Sequence, residues 1–338
     1  MSNILLKRMI SAVFSVSGFI SAIEQNCLRN KAFVLMYHRI LNPVDLQGLY
    51  VQPGMFVSST SFAKQIAFLK DRFKLVFLED LVKMVLAGDD VGGLCAITCD
   101  DGWRDNFTNA FPILEKYGVP ATIFLATGLV NTNKTFWPEE ICYYLERKIA
   151  DKIAFDIAPS SYIRFSKEIS RYHQCTRETF FDRSIEILKR YSPSDRDEIL
   201  SRFRIMHKSY PATRQMMNWD EAREMLSSGL VRFGAHTVNH EILNQITLEK
   251  AHYEISKSRM DIEHNLGCKV GIFAYPNGNC TEELQNYLTE SGFIAAVTTR
   301  KRFLTCGMPL MEIPRIPIHE DVSNTIPMFR ARILFRNF

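Results

Sequence analysis

From residue 31 onward, short apolar runs alternate with stretches whose apolar residues recur at helical spacing. Ala32–Tyr37 (AFVLMY), Leu94–Cys99 (LCAITC) and Ala121–Ala126 (ATIFLA) are continuous apolar runs of strand length. Such runs are the pattern of strands buried on both faces. Between them, Phe62, Ile66, Leu69 and Phe73 fall on one face of a helix expected over 61–73. A second helix is expected over 105–117, broken or kinked at Pro112 and ended by Gly118. The rhythm returns near residue 218. Asn218 is placed to cap a helix that stops at Gly229, and 230–234 reads as a strand. A long amphipathic helix is expected over 247–266, with Leu248, Ala251, Ile255, Ile262 and Leu266 on one face. Strands at 270–275 and 293–298 then flank a helix over 281–291. Strands alternating with helices predict βαβ units and a parallel sheet, most simply one barrel-like α/β domain.

Residues 129–228 break this rhythm. They hold none of the chain's 16 glycines and are rich in Glu, Arg, Lys, Ile and Tyr, as in Glu139–Lys148 and Asp182–Arg190. The stretch predicts a mostly helical insertion at about 131–215, between two barrel strands. An insertion leaving the C-terminal end of a barrel strand stands near an active site, as a lid, as a substrate-binding wall or as a packing embellishment. At the other extreme of the chain, Lys7 and Arg8 precede an apolar stretch, Met9–Ile23, that four serines interrupt. It is too short and polar to span a bilayer. Residues 1–30 therefore read as an amphipathic helix packed on the domain or lying on a membrane face, with a cleaved export signal and then a membrane anchor as the alternatives. The last nine residues carry Arg330, Arg332 and Arg336. They are expected to present a solvated face on a basic C-terminal helix over 323–338, compatible also with an anionic surface.

Composition narrows the class. Hydrophobic residues at 46% and charged residues at 23% are ordinary for a globular chain. The net charge of +4, from 41 basic and 37 acidic residues, is too small to argue for nucleic acid. Eight cysteines include no CxxC pair, so no thiolate metal cage is suggested. Cys95 and Cys99 lie in an expected buried strand, which favours a reducing, cytoplasmic or membrane-associated setting without excluding export. Nothing in the sequence sets an oligomeric state.

Four expected strands end in polar residues suited to chemistry. Ala96–Gly102 (AITCDDG) runs into Asp100 and Asp101, and Phe233–His240 (FGAHTVNH) runs into His236 and His240. Phe273–Gly278 (FAYPNG) ends in a rigid turn at Tyr275, Pro276 and Asn277, and Val34–Arg39 (VLMYHR) ends at His38. Taken singly, these are a solvated turn, a chance pair of histidines, a loop and a structural histidine. Together they fit a parallel barrel, whose catalytic groups gather at the C-terminal ends of strands. Histidines four apart can meet one cation if the backbone forms a helical turn there.

The set resembles the polysaccharide deacetylase family, the NodB-homology domain of carbohydrate esterase family four. That family's TFDDG-type motif stands here as TCDDG, and its H-(S/T)-x-x-H motif as HTVNH. The flanks DNFTNAFPILEKYGVPATIFLATG and MNWDEAREMLSSGLVRFGAH agree, and the resemblance runs from residue 32 to about 320. YHRI is similar to the branch containing poly-N-acetylglucosamine deacetylases. The resemblance implies a distorted (β/α)7-type barrel, circularly permuted, over 31–322. It implies hydrolysis of N-acetyl groups on amino sugars of a polysaccharide or lipid-linked glycan. A divalent metal would sit on Asp101, His236 and His240, with zinc the default and cobalt, nickel or manganese alternatives. Asp100 would be the general base and His38 the general acid, with His319 a second candidate. The family's motif arginine is replaced by Ala274, and Arg315 in IPRIPI is the candidate to orient the base from another strand. A backbone N–H near Tyr275–Asn277 would steady the oxyanion, and Trp103 and Trp137 are candidates to stack on sugar rings. An O-acetyl esterase and a non-catalytic glycan-binding module are the competing readings.

Overall fold

The computed structural model describes residues 23–24, 26–46, 51–148, 160–206 and 214–335. Most of the expected N-terminal helix, and Arg336, lie outside these residues. The chain divides into two units: residues 1–44, 53–132 and 215–338 form one, and residues 45–52 with 133–214 form the other.

The larger unit is built in chain order from β1 (Phe33–Tyr37), β2 (Arg39–Leu41), β3 (Phe56–Ser58), α1 (Ser59–Arg72), β4 (Lys74–Leu75), α2 (Leu78–Ala87) and β5 (Leu94–Cys99). A π-helical turn (Asn106–Ala110) leads into α3 (Phe111–Tyr117), and β6 (Ala121–Leu125) follows. Pro112 lies in the first turn of α3. The break expected there is the π-helical turn just before it: helical backbone runs through residues 104–110 into α3, and the proline stands where the first α turn has no use for the missing N–H. The smaller unit holds α4 (Trp137–Lys148), α5 (Ser160–Ile169), α6 (Arg177–Leu188) and α7 (Pro193–Met206). After it come α8 (Trp219–Ser227), β7 (Val231–Ala235), α9 (Leu248–Leu266), β8 (Ile272–Ala274), α10 (Glu282–Glu290), β9 (Ala295–Val297), β10 (Ile316–Pro317), α11 (Glu320–Ser323) and α12 (Ile326–Leu334).

The main sheet runs β10-β1-β5-β6-β7-β8-β9, every neighbouring pair parallel, with β4 added beside β5. The segment entering β10 joins the two edges. The Ile313 N–H donates to Ala296 O and the Thr298 N–H to Ile313 O, both at 2.8 Å, while Leu35 and Met36 of β1 face Ile316 and Pro317. The expected α/β barrel of seven strands is thus a curled, nearly closed sheet. β4 and β10 are too short for periodicity to reveal, and α2 completes the helices that periodicity outlined.

Side chains alternate across the strands. Phe33, Leu35, Tyr37, Cys95, Ile97 and Cys99 belong to the core cluster that includes Phe62, Ile66 and Leu69 of α1. Val34, Ala96, Phe124, Ala274, Ala295 and Ile313 belong to a second cluster on the other face. Small residues line that second face where Phe124 fills it; a Cβ at Gly234 would stand 2.5 Å from the Phe124 ring. Asp100, which follows Cys99, therefore points to the side of Ala96 and Thr98. Of the face expected on the 247–266 helix, Ala251, Ile255 and Ile262 are buried, Leu266 is half-buried and Leu248 is 53% exposed in the first turn; Glu254 and Ser258, outside that expectation, are buried beside them.

Asn218 and Glu221 form a reciprocal capping box at the start of α8, with N–H···O distances of 2.8 and 2.9 Å. The smaller unit has its own core of Tyr144, Tyr162, Phe165, Phe181 and Phe203. Trp137 packs against it, under the Arg196 guanidinium. Among the described residues no helix is long and apolar enough to cross a membrane.

The basic C-terminal helix departs from its expected solvated face. Arg330 is 6% exposed and makes a two-pronged ion pair with buried Glu24, at 3.0 and 2.8 Å. Arg332 donates to Pro317 O. Glu24→Ala should cost about 3 kcal/mol, because it leaves a buried guanidinium without its carboxylate; urea unfolding of the purified variant measures this.

Candidate active site

Strand register explains how distant residues meet. Tyr37 is level with Cys99, so His38 and Asp100 leave their strands side by side. Leu125 is level with Ala235, and Ala235 with Phe273, so His236 and the turn after Ala274 open on the same end. The Asp100 N–H donates to Tyr37 O at 2.9 Å, and the His236 N–H to Leu125 O at 3.1 Å.

Asp101, His236 and His240 converge, with one potential ligand atom from each lying within 4.8 Å of the others. Both imidazole Nε2 atoms stand 3.4 Å from Asp101 Oδ1. That oxygen is buried and accepts no hydrogen bond. A buried carboxylate oxygen without a donor, faced by two imidazole nitrogens, fits the donor set of a divalent cation. Two further atoms of the cluster are held. Trp103 Nε1 donates to Asp101 Oδ2 at 2.9 Å, and His236 Nδ1 donates to Ala274 O at 2.7 Å, which leaves Nε2 as the free lone pair.

Electrostatics divide the two aspartates. Burial opposes the charge on Asp100, but the Arg315 guanidinium outweighs it and holds the carboxyl below the usual range. Arg315 is fully buried and binds both Asp100 oxygens, at 2.6 and 2.7 Å. It also donates to Thr298 O at 3.0 Å and Thr98 Oγ1 at 3.1 Å. Burial likewise opposes the charge on Asp101, and the imidazoles of His236, His240 and His38 hold it well below the ordinary value. Burial pushes the His240 imidazole down to about 4, against the pull of Asp101. Burial disfavours the charged form of His236 too, yet Asp101 and Asp100 raise it overall. A proton and a cation compete for that lone pair. His38 Nε2 lies 4.0 Å from Asp100 Oδ2.

Backbone strain gathers here. Asp101, Thr237, His240 and Asn277 have φ of 78°, 65°, 55° and 58°, four of the five positive-φ non-glycine residues among those described. Each costs about 1–3 kcal/mol and persists only because its surroundings over-determine it. The DDG turn is clamped by 215–217: the Met217 N–H donates to Gly102 O and the Arg104 N–H to Gln215 O. The 237–240 turn is clamped by Thr127 and Gly128, whose N–H groups donate to Thr237 O and Val238 O at 3.1 and 2.8 Å. A Cβ at residue 128 would lie 2.9 Å from Val238 O, so only glycine allows this approach.

Several expected substrate contacts are corrected. The Trp103 ring is 0% exposed, so it has no face to offer a sugar. It lies under the Arg39 guanidinium at 4.1 Å and serves Asp101 instead. Tyr275 and Pro276 are buried, and the Tyr275 hydroxyl donates to Met311 O. The Tyr275 N–H is committed to Val297 O and proline has none, so of these three only Asn277, which is exposed, can offer an amide. His319 pairs with Asp321. Three supporting residues escaped the sequence reading. Asp105 holds Arg39 Nε at 2.9 Å and the Ile40 N–H at 2.7 Å, and Asn106 donates to His38 O at 2.8 Å. Glu254 is the third. Its signal was a carboxylate on the apolar stripe of a helix, where charge is rare.

Residues 88–296 match the family model described as Polysaccharide deacetylase. The chain belongs to the polysaccharide deacetylase family, and it is an enzyme of that hydrolase class. The YxkH protein of Bacillus subtilis, assigned by name to the polysaccharide deacetylases, is 19% identical over 294 residues, 86% of this chain and 73% of that one. The poly-β-1,6-N-acetyl-D-glucosamine N-deacetylase of Staphylococcus epidermidis is 31% identical over 112 residues, 31% of this chain and 39% of that protein. The Streptococcus pyogenes deacetylase PplD, solved with acetate, shares the fold: TM-score 0.57 at 18% identity, over 87% of this chain and 95% of that one. The family match begins just before β5, yet β1 precedes it in the chain and lies between β5 and β10 in the sheet.

Arg315→Met should destabilise the protein by about 3–5 kcal/mol, since it strands the buried Asp100 carboxylate. The double variant with Asp100→Asn should recover most of that loss; denaturant unfolding of the three proteins measures both.

Proposed function

We propose that the enzyme hydrolyses N-acetyl groups on amino-sugar residues of a glycan, with a divalent cation held by Asp101, His236 and His240. The observation that carries this reading is Asp101 Oδ1, buried without a donor and facing two imidazole nitrogens at 3.4 Å. The name of the Staphylococcus epidermidis relative supports the amino-sugar substrate. Two nitrogens and one oxygen suit zinc, and also cobalt, nickel or manganese.

When bound, the cation supplies Lewis acidity, polarising the acetyl carbonyl and making water more acidic. Asp100 is the general base. Arg315 keeps it ionised and fixes its plane, and each oxygen retains a second lone pair to take a proton from the attacking water. The water oxygen adds to the carbonyl carbon, and the Asn277 N–H steadies the developing oxyanion. His38 then donates a proton to the sugar nitrogen as the carbon–nitrogen bond breaks. Acetate and a free amino sugar result.

Chelation should abolish acetate release from N-acetylated glucosamine oligomers, and zinc or cobalt should restore it. Asp100→Asn should retain the metal but lower release by about 10²–10⁴-fold. Full release by the stripped enzyme, or by Asp100→Asn, defeats this reading; release from O-acetylated oligomers alone would replace the amide with an ester.

A further inference from the structure

Glu254 is the one charged residue among the buried positions of α9, and its side chain is fully enclosed. Helix packing does not call for it, since Ala251, Ile255 and Ile262 supply the apolar contact. A buried carboxylate is costly unless hydrogen-bonded, and its partners here lie in one place. Oε2 accepts the backbone N–H groups of Val238 and Asn239, each at 2.8 Å, and Oε1 accepts Asn239 Nδ2 at 2.7 Å. Those two residues lie between His236 and His240. They are flanked by Thr237 and His240, both in the left-handed region.

We propose that Glu254 is a positioning residue that holds the 237–240 turn in the conformation presenting His240 to Asp101, and thereby sets the affinity for the cation. This rests on the proposed metal site. The turn is gripped from two sides. Thr127 and Gly128 take its carbonyls and Glu254 takes its N–H groups. With the carboxylate in place, His240 arrives already oriented, and little conformational freedom is lost when the cation binds. A glutamine at 254 has no charge and a single acceptor oxygen; with that oxygen on the two backbone N–H groups, its NH₂ group is turned towards the Asn239 Nδ2 donor. Such a residue leaves the helix intact but frees one end of the turn.

Cobalt titration of the metal-free enzyme, followed by the ion's visible absorption, tests this. Glu254→Gln should weaken cobalt binding by about 10–100-fold with wild-type circular dichroism. Acetate release should fall mainly through the cobalt concentration needed for half-maximal rate. Asn239→Ala removes only the exposed arm of the grip and should weaken binding about three- to tenfold. A folded Glu254→Gln enzyme with wild-type cobalt affinity overturns the role. If Glu254→Gln does not fold, wild-type affinity in Asn239→Ala overturns it instead. A wild-type enzyme that takes up no cobalt defeats the metal site itself, and this inference with it.

Discussion

Two adjacent carboxylates, buried at the end of one strand, are the constraint around which the rest of this protein is arranged. Neither ionises cheaply away from water, and each raises the cost of ionising the other. The fold answers the two charges differently. Asp100 receives a fixed cation from the same chain, the guanidinium of Arg315, delivered through the sheet from the entry to β10. Asp101 receives one indole hydrogen bond and two imidazoles, and one of its oxygens is left without a donor. The first carboxylate is thereby kept charged and immobile. The second is kept charged and available.

Parallel strands make this arrangement possible because they bring their C-terminal ends to one side. The register levels Tyr37 with Cys99 and Ala235 with Phe273, so residues far apart in sequence emerge within reach of one another. The strained turns at Asp101, Thr237, His240 and Asn277 then aim side chains that a regular strand would send elsewhere. Each is held by hydrogen bonds from neighbouring segments. The Arg39–Asp105 ion pair extends the arrangement: it lies over the indole that holds Asp101, and Asp105 and Asn106 hold the backbone at His38 and Ile40.

The parallel α/β architecture was legible because buried strands leave unbroken apolar runs and their helices leave stripes of period 3.6. The members of the Asp101, His236 and His240 cluster were legible as polar residues ending such runs, and their grouping as one set came from the motif resemblance. What escaped was set by contacts that no local pattern encodes. Trp103 read as a sugar platform because an aromatic beside a catalytic turn has two uses, and only burial separates them. Arg330 read as solvated because its partner, Glu24, lies at the other end of the chain. Leu248 fits the periodicity of its helix but stands in an uncovered first turn. Arg315 was legible only as a replacement for a missing charge; its two-pronged contact with Asp100 needed the sheet to close.

The central claim is that Asp101, His236 and His240 hold one divalent cation beside a carboxylate already fixed by Arg315. An anomalous difference map, from crystals of the cobalt-loaded enzyme at the cobalt edge, tests it most directly. A single strong peak enclosed by Asp101, His236 and His240, with Asp100 still paired to Arg315, is expected. A peak elsewhere on the chain, or Asp100 swung from Arg315 to take the ion, contradicts it.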